Sequence, residues 1–188
     1  MSDLTITNGG VAVSANSAGS SISTGRRKII RVTPTLDTSA YAAGDVLFNS
    51  VAIPNAVRED GGCSKLLAVF LRQDPTTNVS MELIFTENAV TFGTVNATAN
   101  VGDSTLKAGN VLGYISCDSE IGTTNFIDNS EIKRVYHTRT DSENSFPQSD
   151  PMLLQAASDS TSVYFAALGG GTVTYGADDL EFIFHIEY

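Results

Sequence analysis

The chain has 188 residues, enough to bury a core as one domain. Its formal net charge of −10 argues against a nucleic-acid surface, which needs a clustered positive field, and favours solubility at high concentration. Apolar residues make up 41%, and tryptophan is absent, a composition that suits a sheet protein with many exposed turns.

Residues 1–27 read as an N-terminal arm. Residues 1–25 are rich in Ser, Gly, Ala, Asn and Thr, and cannot bury enough apolar area to offset their ordering entropy alone. Two readings stay open: a flexible tail, or an extended arm that orders against a neighbouring subunit. Ile6, Val11 and Val13 give such an arm something to bury. Arg26 and Arg27, with Lys28 and Arg31, form the one dense positive cluster of an acidic chain. Ile6, Val11, Val13, Arg26 and Arg27 are therefore the candidate partner-binding residues.

The folded domain is predicted over 28–188. Ile30 and Val32 alternate with Arg31 and Thr33, giving a first strand at a sheet edge. Tyr41 to Asp45 reads as a turn, followed by two short strands, Val46–Phe48 and Val51–Ile53, the second stopped by Pro54. A charged glycine turn, Arg58 to Gly62, feeds the stretch Cys63–Glu87, read as a hairpin. In its first strand Leu66–Leu71 is apolar on both faces, as expected of a strand covered on two sides. Asp74-Pro75 starts the turn. Val79, Met81, Leu83 and Phe85 then share one face, opposite Ser80, Glu82 and Thr86.

Beyond Glu87 the chain is small and polar, and 93–110 reads as an extended excursion of the kind that makes contacts. Val111, Tyr114 and Ile115 mark a strand ending near Cys117. Residues 118–150 are mostly charged and polar, although Ile121, Phe126, Ile127, Ile132, Val135 and Tyr136 allow one or two strands. Asp150 to Ala157 fits either a helical turn, with Asp150 as cap and Pro151 at the first position, or a strand. Ser162–Leu168 is strand-like, then Gly169–Gly171 turns into Thr172–Tyr175. In the closing strand Leu180, Phe182, Phe184, Ile186 and Tyr188 alternate with Glu181, His185 and Glu187. Eight or more short strands with almost no helical periodicity predict an all-β protein, a single jelly-roll-like antiparallel β-sandwich.

Chemistry is sparse in this pattern. The chain has two histidines. His185 stands on the polar side of the last strand, and His137 lies in a polar segment with Arg134 and Arg139. No GxSxG elbow exposes a serine, and the glycine runs lack a phosphate-cradling spacing. Asp118/Glu120, Asp128/Glu131 and Asp178/Asp179 lack the spacing of a calcium loop. Cys63 and Cys117 fit no CxxC or Cys/His metal pattern and are read as reduced thiols. The expectation is a protein that is not an enzyme, with no catalytic residues, no metal and no cofactor. The first residues carry no secretory signal, and the longest apolar runs have six residues, too short to span a membrane as a helix.

Several stretches together resemble a set of tailed-phage virion proteins. These are Ala40-Tyr41-Ala42-Ala43-Gly44-Asp45, then Asn55-Ala56-Val57-Arg58, Gly61-Gly62, Leu83-Ile84-Phe85, and the ending Val163–Leu168, Gly171–Tyr175 and Asp179-Leu180. The resemblance spans residues 29–188 and leaves out the arm. It implies a capsid-associated jelly roll, a head decoration or cement protein that binds the major capsid protein and forms a symmetric homo-oligomer, most simply a trimer. Its place would be the capsid surface of the virion, after synthesis in the host cytoplasm, with neither nucleic acid nor membrane as partner. The alternative is a tail or fibre-associated β-sandwich module that binds a host surface glycan. A calcium-assisted glycan hydrolase is a third, more distant reading.

Overall fold

Alternation of apolar and polar residues sets the strands of this protein, and the partners they choose set its layers. The computed structural model describes residues 6–8, 11–13, 27–73, 79–117, 123–127, 130–137 and 151–188. Strands β1 (Ile6–Asn8) and β2 (Val11–Val13) pair antiparallel as a separate two-stranded sheet. The remaining strands are β3 (Arg27–Val32), β4 (Val46–Ile53), β5 (Cys63–Gln73), β6 (Met81–Thr86), β7 (Val111–Cys117), β8 (Thr123–Ile127), β9 (Ser130–His137), β10 (Met152–Gln155), β11 (Val163–Gly169) and β12 (Glu181–Glu187). One short helix, α1 (Asp103–Gly109), precedes β7.

These strands form two antiparallel sheets packed face to face. One runs β3-β12-β5-β9-β8, with β10 also on β5, and the other runs β4-β11-β6-β7. The edge of β5 away from β12 is shared end to end: β10 pairs Cys63–Leu66 and β9 pairs Ala68–Gln73. Taking β8 to β10 as one edge position, the pairs are first with last, second with second-last, and so on inward to β6 with β7. A long hairpin wound around itself produces that order, which is the topology of a jelly roll. The fold class read from the sequence is the one observed.

The inner faces interdigitate through aromatic rings. Phe165 of β11 lies 5.3 Å from Phe48, 5.1 Å from Phe182 and 5.0 Å from Phe184, measured between ring centroids, so it bridges both sheets. In β12, Phe182, Phe184 and Ile186 are fully buried and alternate with half-buried Glu181, Ile183, His185 and Glu187. This is the period-two pattern of a strand with one face in the core.

Three expectations need correction, and one open choice is resolved. Cys63–Glu87 is not a hairpin, because β5 and β6 lie in different sheets. Both strands send apolar side chains to the same core, so alternation alone could not distinguish neighbours in one sheet from partners across the sandwich. The two strands expected at Val46–Phe48 and Val51–Ile53 are one, β4, and the polar pair between them binds the chain alongside. Asn49 accepts from the Phe92 N–H (2.7 Å) and donates to the Gly93 carbonyl (2.9 Å), while Ser50 accepts from the Val90 N–H (2.8 Å).

The excursion at 93–110 does not reach away from the domain. Residues 90–99 run along the free edge of β4, with Val46 N–H on the Ala97 carbonyl and Asn96 N–H on the Val46 carbonyl, both 2.9 Å. The segment then crosses the outer face of the four-stranded sheet. There Val90, Phe92 and Leu106 pack with Val46, Ile84 and Ala166 in a second small core. That segment contains α1, which the sequence reading did not predict. Finally, the choice left open at Asp150–Ala157 resolves as strand, since Met152–Gln155 completes the edge of β5.

Candidate interaction surface

The motifs that carry the sequence resemblance hold turns. The Tyr41 hydroxyl accepts from the Asp37 N–H (2.7 Å) and donates to the Leu47 carbonyl (3.2 Å), while its ring meets Tyr175 edge-on. Asp45 closes the turn by accepting from the Ala42 N–H at 2.7 Å, and Gly44 between them has φ +86°, open to glycine at no cost. At the next motif Asn55 is left-handed, and its carbonyl accepts from the Tyr188 hydroxyl at 2.6 Å. The buried Ala56 offers its carbonyl to Ser64 at 2.7 Å, and Arg58 points to solvent. These residues pin the loops at one end of each sheet and present no reactive group. Burial pushes the Tyr175 phenol far above its ordinary range, and that of Tyr41 upward too, so both stay neutral. The exposed Asp37 carboxyl is held down chiefly by the Ser39 backbone N–H.

The two outer faces of the sandwich differ. On the four-stranded sheet the chain's own 90–106 segment covers Val46, Ile84 and Ala166, and leaves Val111 and Tyr114 of β7 exposed. On the six-stranded sheet, pairing aligns the outward residues in rows across β3, β12, β5 and β10. The first row is Arg27, Glu187, Lys65 and Leu153; the second is Ile29, His185 and Ala68. The third is Arg31, Ile183 and Phe70, and the fourth pairs Glu181 with Arg72. Ile29 is 57% exposed and Leu153 63%, two of the four large apolar residues that stand out from the surface among the described residues. His185 lies 5.0 Å from Phe70, ring to ring. Charge brackets this apolar centre. Arg72 Nε binds Glu181 at 2.9 Å, Arg31 reaches the same carboxylate at 3.9 Å, and Arg27 meets Glu187 at 3.2 Å.

The sequence predicted a cover on both faces of Leu66–Leu71. The inner cover is there, with Leu66, Val69 and Leu71 fully buried, but Phe70 on the outer side is only half-buried. An apolar centre within a charged rim is the anatomy of a protein–protein contact. None of Ile29, Phe70, Ile183, Lys65 or Leu153 was singled out from the sequence as a contact. Ile183 carried the available signal, as an apolar residue at an outward position between Glu181 and His185.

Of the predicted contacts, Ile6 and Val13 are paired in register across β1 and β2, and Asn8 with Val11. Gly9-Gly10 between those strands is a hairpin signal that the sequence reading did not use. Arg27 opens β3, and Arg26 lies outside the described residues. His137 ends β9, whereas Arg139, Asp118/Glu120 and Asp128 lie outside the described residues. Cys63 is an exposed free thiol, and Cys117 is buried in the core. Among the described residues no three of His, Cys, Asp and Glu gather where a metal could sit. Among them, too, no helix is long and apolar enough to cross a membrane.

No protein-family model and no curated protein sequence matches the chain. Among solved structures it is similar to one titled "Crystal structure of infectious bursal disease virus VP2 subviral particle", at 11% identity and a TM-score of 0.28. The match covers 96% of this chain and 44% of that one, so this chain spans less than half the length of that protein. A likeness at that TM-score carries no weight for function.

Proposed function

We propose that the protein is a non-enzymatic structural component of a tailed-phage virion. Its role is that of a head decoration or cement protein, which binds the major capsid protein, associates with itself and stabilises the shell. The motif resemblance over 29–188 supports the phage assignment, and the jelly-roll topology is the fold that resemblance implies. The observation that carries a binding role is the outer face of the six-stranded sheet. There Ile29 and Leu153 stand exposed around Phe70 and Ile183, with ion pairs of Arg27, Arg31 and Arg72 about them. A cement protein acts by adding interface area at joints between shell subunits, which favours the assembled state by mass action.

The test uses heads of the encoding phage that lack the protein. Purified chain added back should co-sediment with the heads at a fixed ratio and raise the temperature at which they release DNA. Heads that take up none of it, or gain no heat resistance at full occupancy, would rule out the cement role. Binding to host-cell glycans instead, with no uptake by heads, would move the protein to the tail or fibre reading.

A further inference from the structure

We propose that His185 makes binding through the outer face of β3, β12, β5 and β10 depend on pH, tight near neutrality and weaker in mild acid. The switch rests on that face being a capsid contact, as in the function proposed above. The chain has two histidines, and strand register brings both to one row of the six-stranded sheet. Ile29, His185, Ala68 and His137 stand opposite one another across β3, β12, β5 and β9. Histidine is the side chain that ordinarily changes charge between about pH 5 and 8. His185 occupies the apolar centre of the face, opposite exposed Ile29 and with its ring 5.0 Å from that of Phe70.

The charges around it set the sign. On its own strand Glu181 is held by Arg72 of β5 and Arg31 of β3, and Glu187 by Arg27 of β3. Lys65 of β5 lies opposite Glu187, and β10 places uncharged Leu153 beside Lys65. In β9, Arg134 is in register with Phe70, and His137 adds positive charge to the same row in acid. An imidazolium here therefore finds cations, and carboxylates that already have arginine partners. Water offsets its charge while the face is open. A contact that covers Ile29, Phe70 and Ile183 removes that water, and a buried charge without a partner is disfavoured. The covered state takes neutral His185, so a proton held by the free chain must leave before the contact forms. Binding is then at full strength above the range in which free histidine is charged, and weakens as pH falls through it. Free imidazole loses about nine-tenths of its neutral form between about pH 7.5 and about pH 5.5, which sets the expected loss of affinity at about tenfold.

Titrating purified full-length chain onto phage heads that lack it, at about pH 7.5 and about pH 5.5, tests the switch. The dissociation constant of the wild type is expected to rise about tenfold in acid. His185→Gln carries no charge at either pH and should lose that dependence. His185→Lys is charged at both and should bind at about pH 7.5 at least about fivefold more weakly than the wild type. Both variants change an outward side chain of β12 and should melt as the wild type does. Should one misfold, the other decides together with the wild-type series. Equal wild-type affinity at the two pH values, tighter binding in acid, or the same acid response in His185→Gln would overturn the proposal. Uptake that ignores pH removes this inference alone and leaves the cement reading standing, whereas no uptake at either pH removes both.

Discussion

Tyr41 shows how much of this fold hangs on single side chains. Its hydroxyl serves the Asp37 N–H and the Leu47 carbonyl at once, in a nearly dry site against Tyr175. Tyr41→Phe keeps the ring but strands both backbone groups, so it should destabilise the domain by about 1–3 kcal/mol in urea unfolding. An unchanged midpoint would mean that water replaces the hydroxyl. The pair also sets an alkaline limit. Both phenols are raised above 10.0 in the folded state, so the folded chain holds their protons more tightly than the unfolded chain does. Their contribution is therefore complete below pH 10.0 and falls as pH rises beyond it. Tyrosinate absorbance should then appear together with unfolding; free titration of Tyr41 and Tyr175 in a folded chain would contradict it. Gly109 is a second such point, since a Cβ there would lie 2.2 Å from Val90 Cγ2. Gly109→Ala should cost about 1–3 kcal/mol by overpacking, read as a lower melting temperature.

At the scale of elements, the closing strand and the edge strand β3 were legible, because Phe182, Phe184 and Ile186, like Ile30 and Val32, alternate cleanly with polar neighbours. The partner of β6 was not. Met81, Leu83 and Phe85 say which face is buried, and say nothing of whether β5 lies beside them or across the core. Helix α1 has suitable ends, with Asp103 first, Lys107 in the last turn and a left-handed Asn110 after it. Its seven residues carry too little apolar periodicity to be recognised, and they fold because Leu106 packs on a sheet that the sequence alone could not place there. The apolar outer face of the six-stranded sheet was hidden for a related reason. Ile29, Ile183 and Phe70 are far apart in sequence and become one surface only through the β3-β12-β5 register. Phe165, touching rings of both sheets, is the element-level test of the core. Phe165→Ala should cost about 3–5 kcal/mol, and a loss below 1 kcal/mol would mean that the sheets do not pack through it.

For the molecule as a whole, the arm and the domain should be separable in function. Removing residues 1–25 is predicted to leave the sandwich folded, with an unchanged melting temperature, and to weaken uptake by phage heads. Full occupancy of heat-stressed heads by the truncated chain would count against a binding role for Ile6, Val11 and Val13. The proposed role then makes a direct claim about place. Cryo-electron microscopy of intact virions carrying a labelled copy of this chain tests it most simply. Label density is predicted at repeated joints between capsid subunits over the whole head, in clusters of several copies. Density confined to the tail or its tip would contradict the proposal.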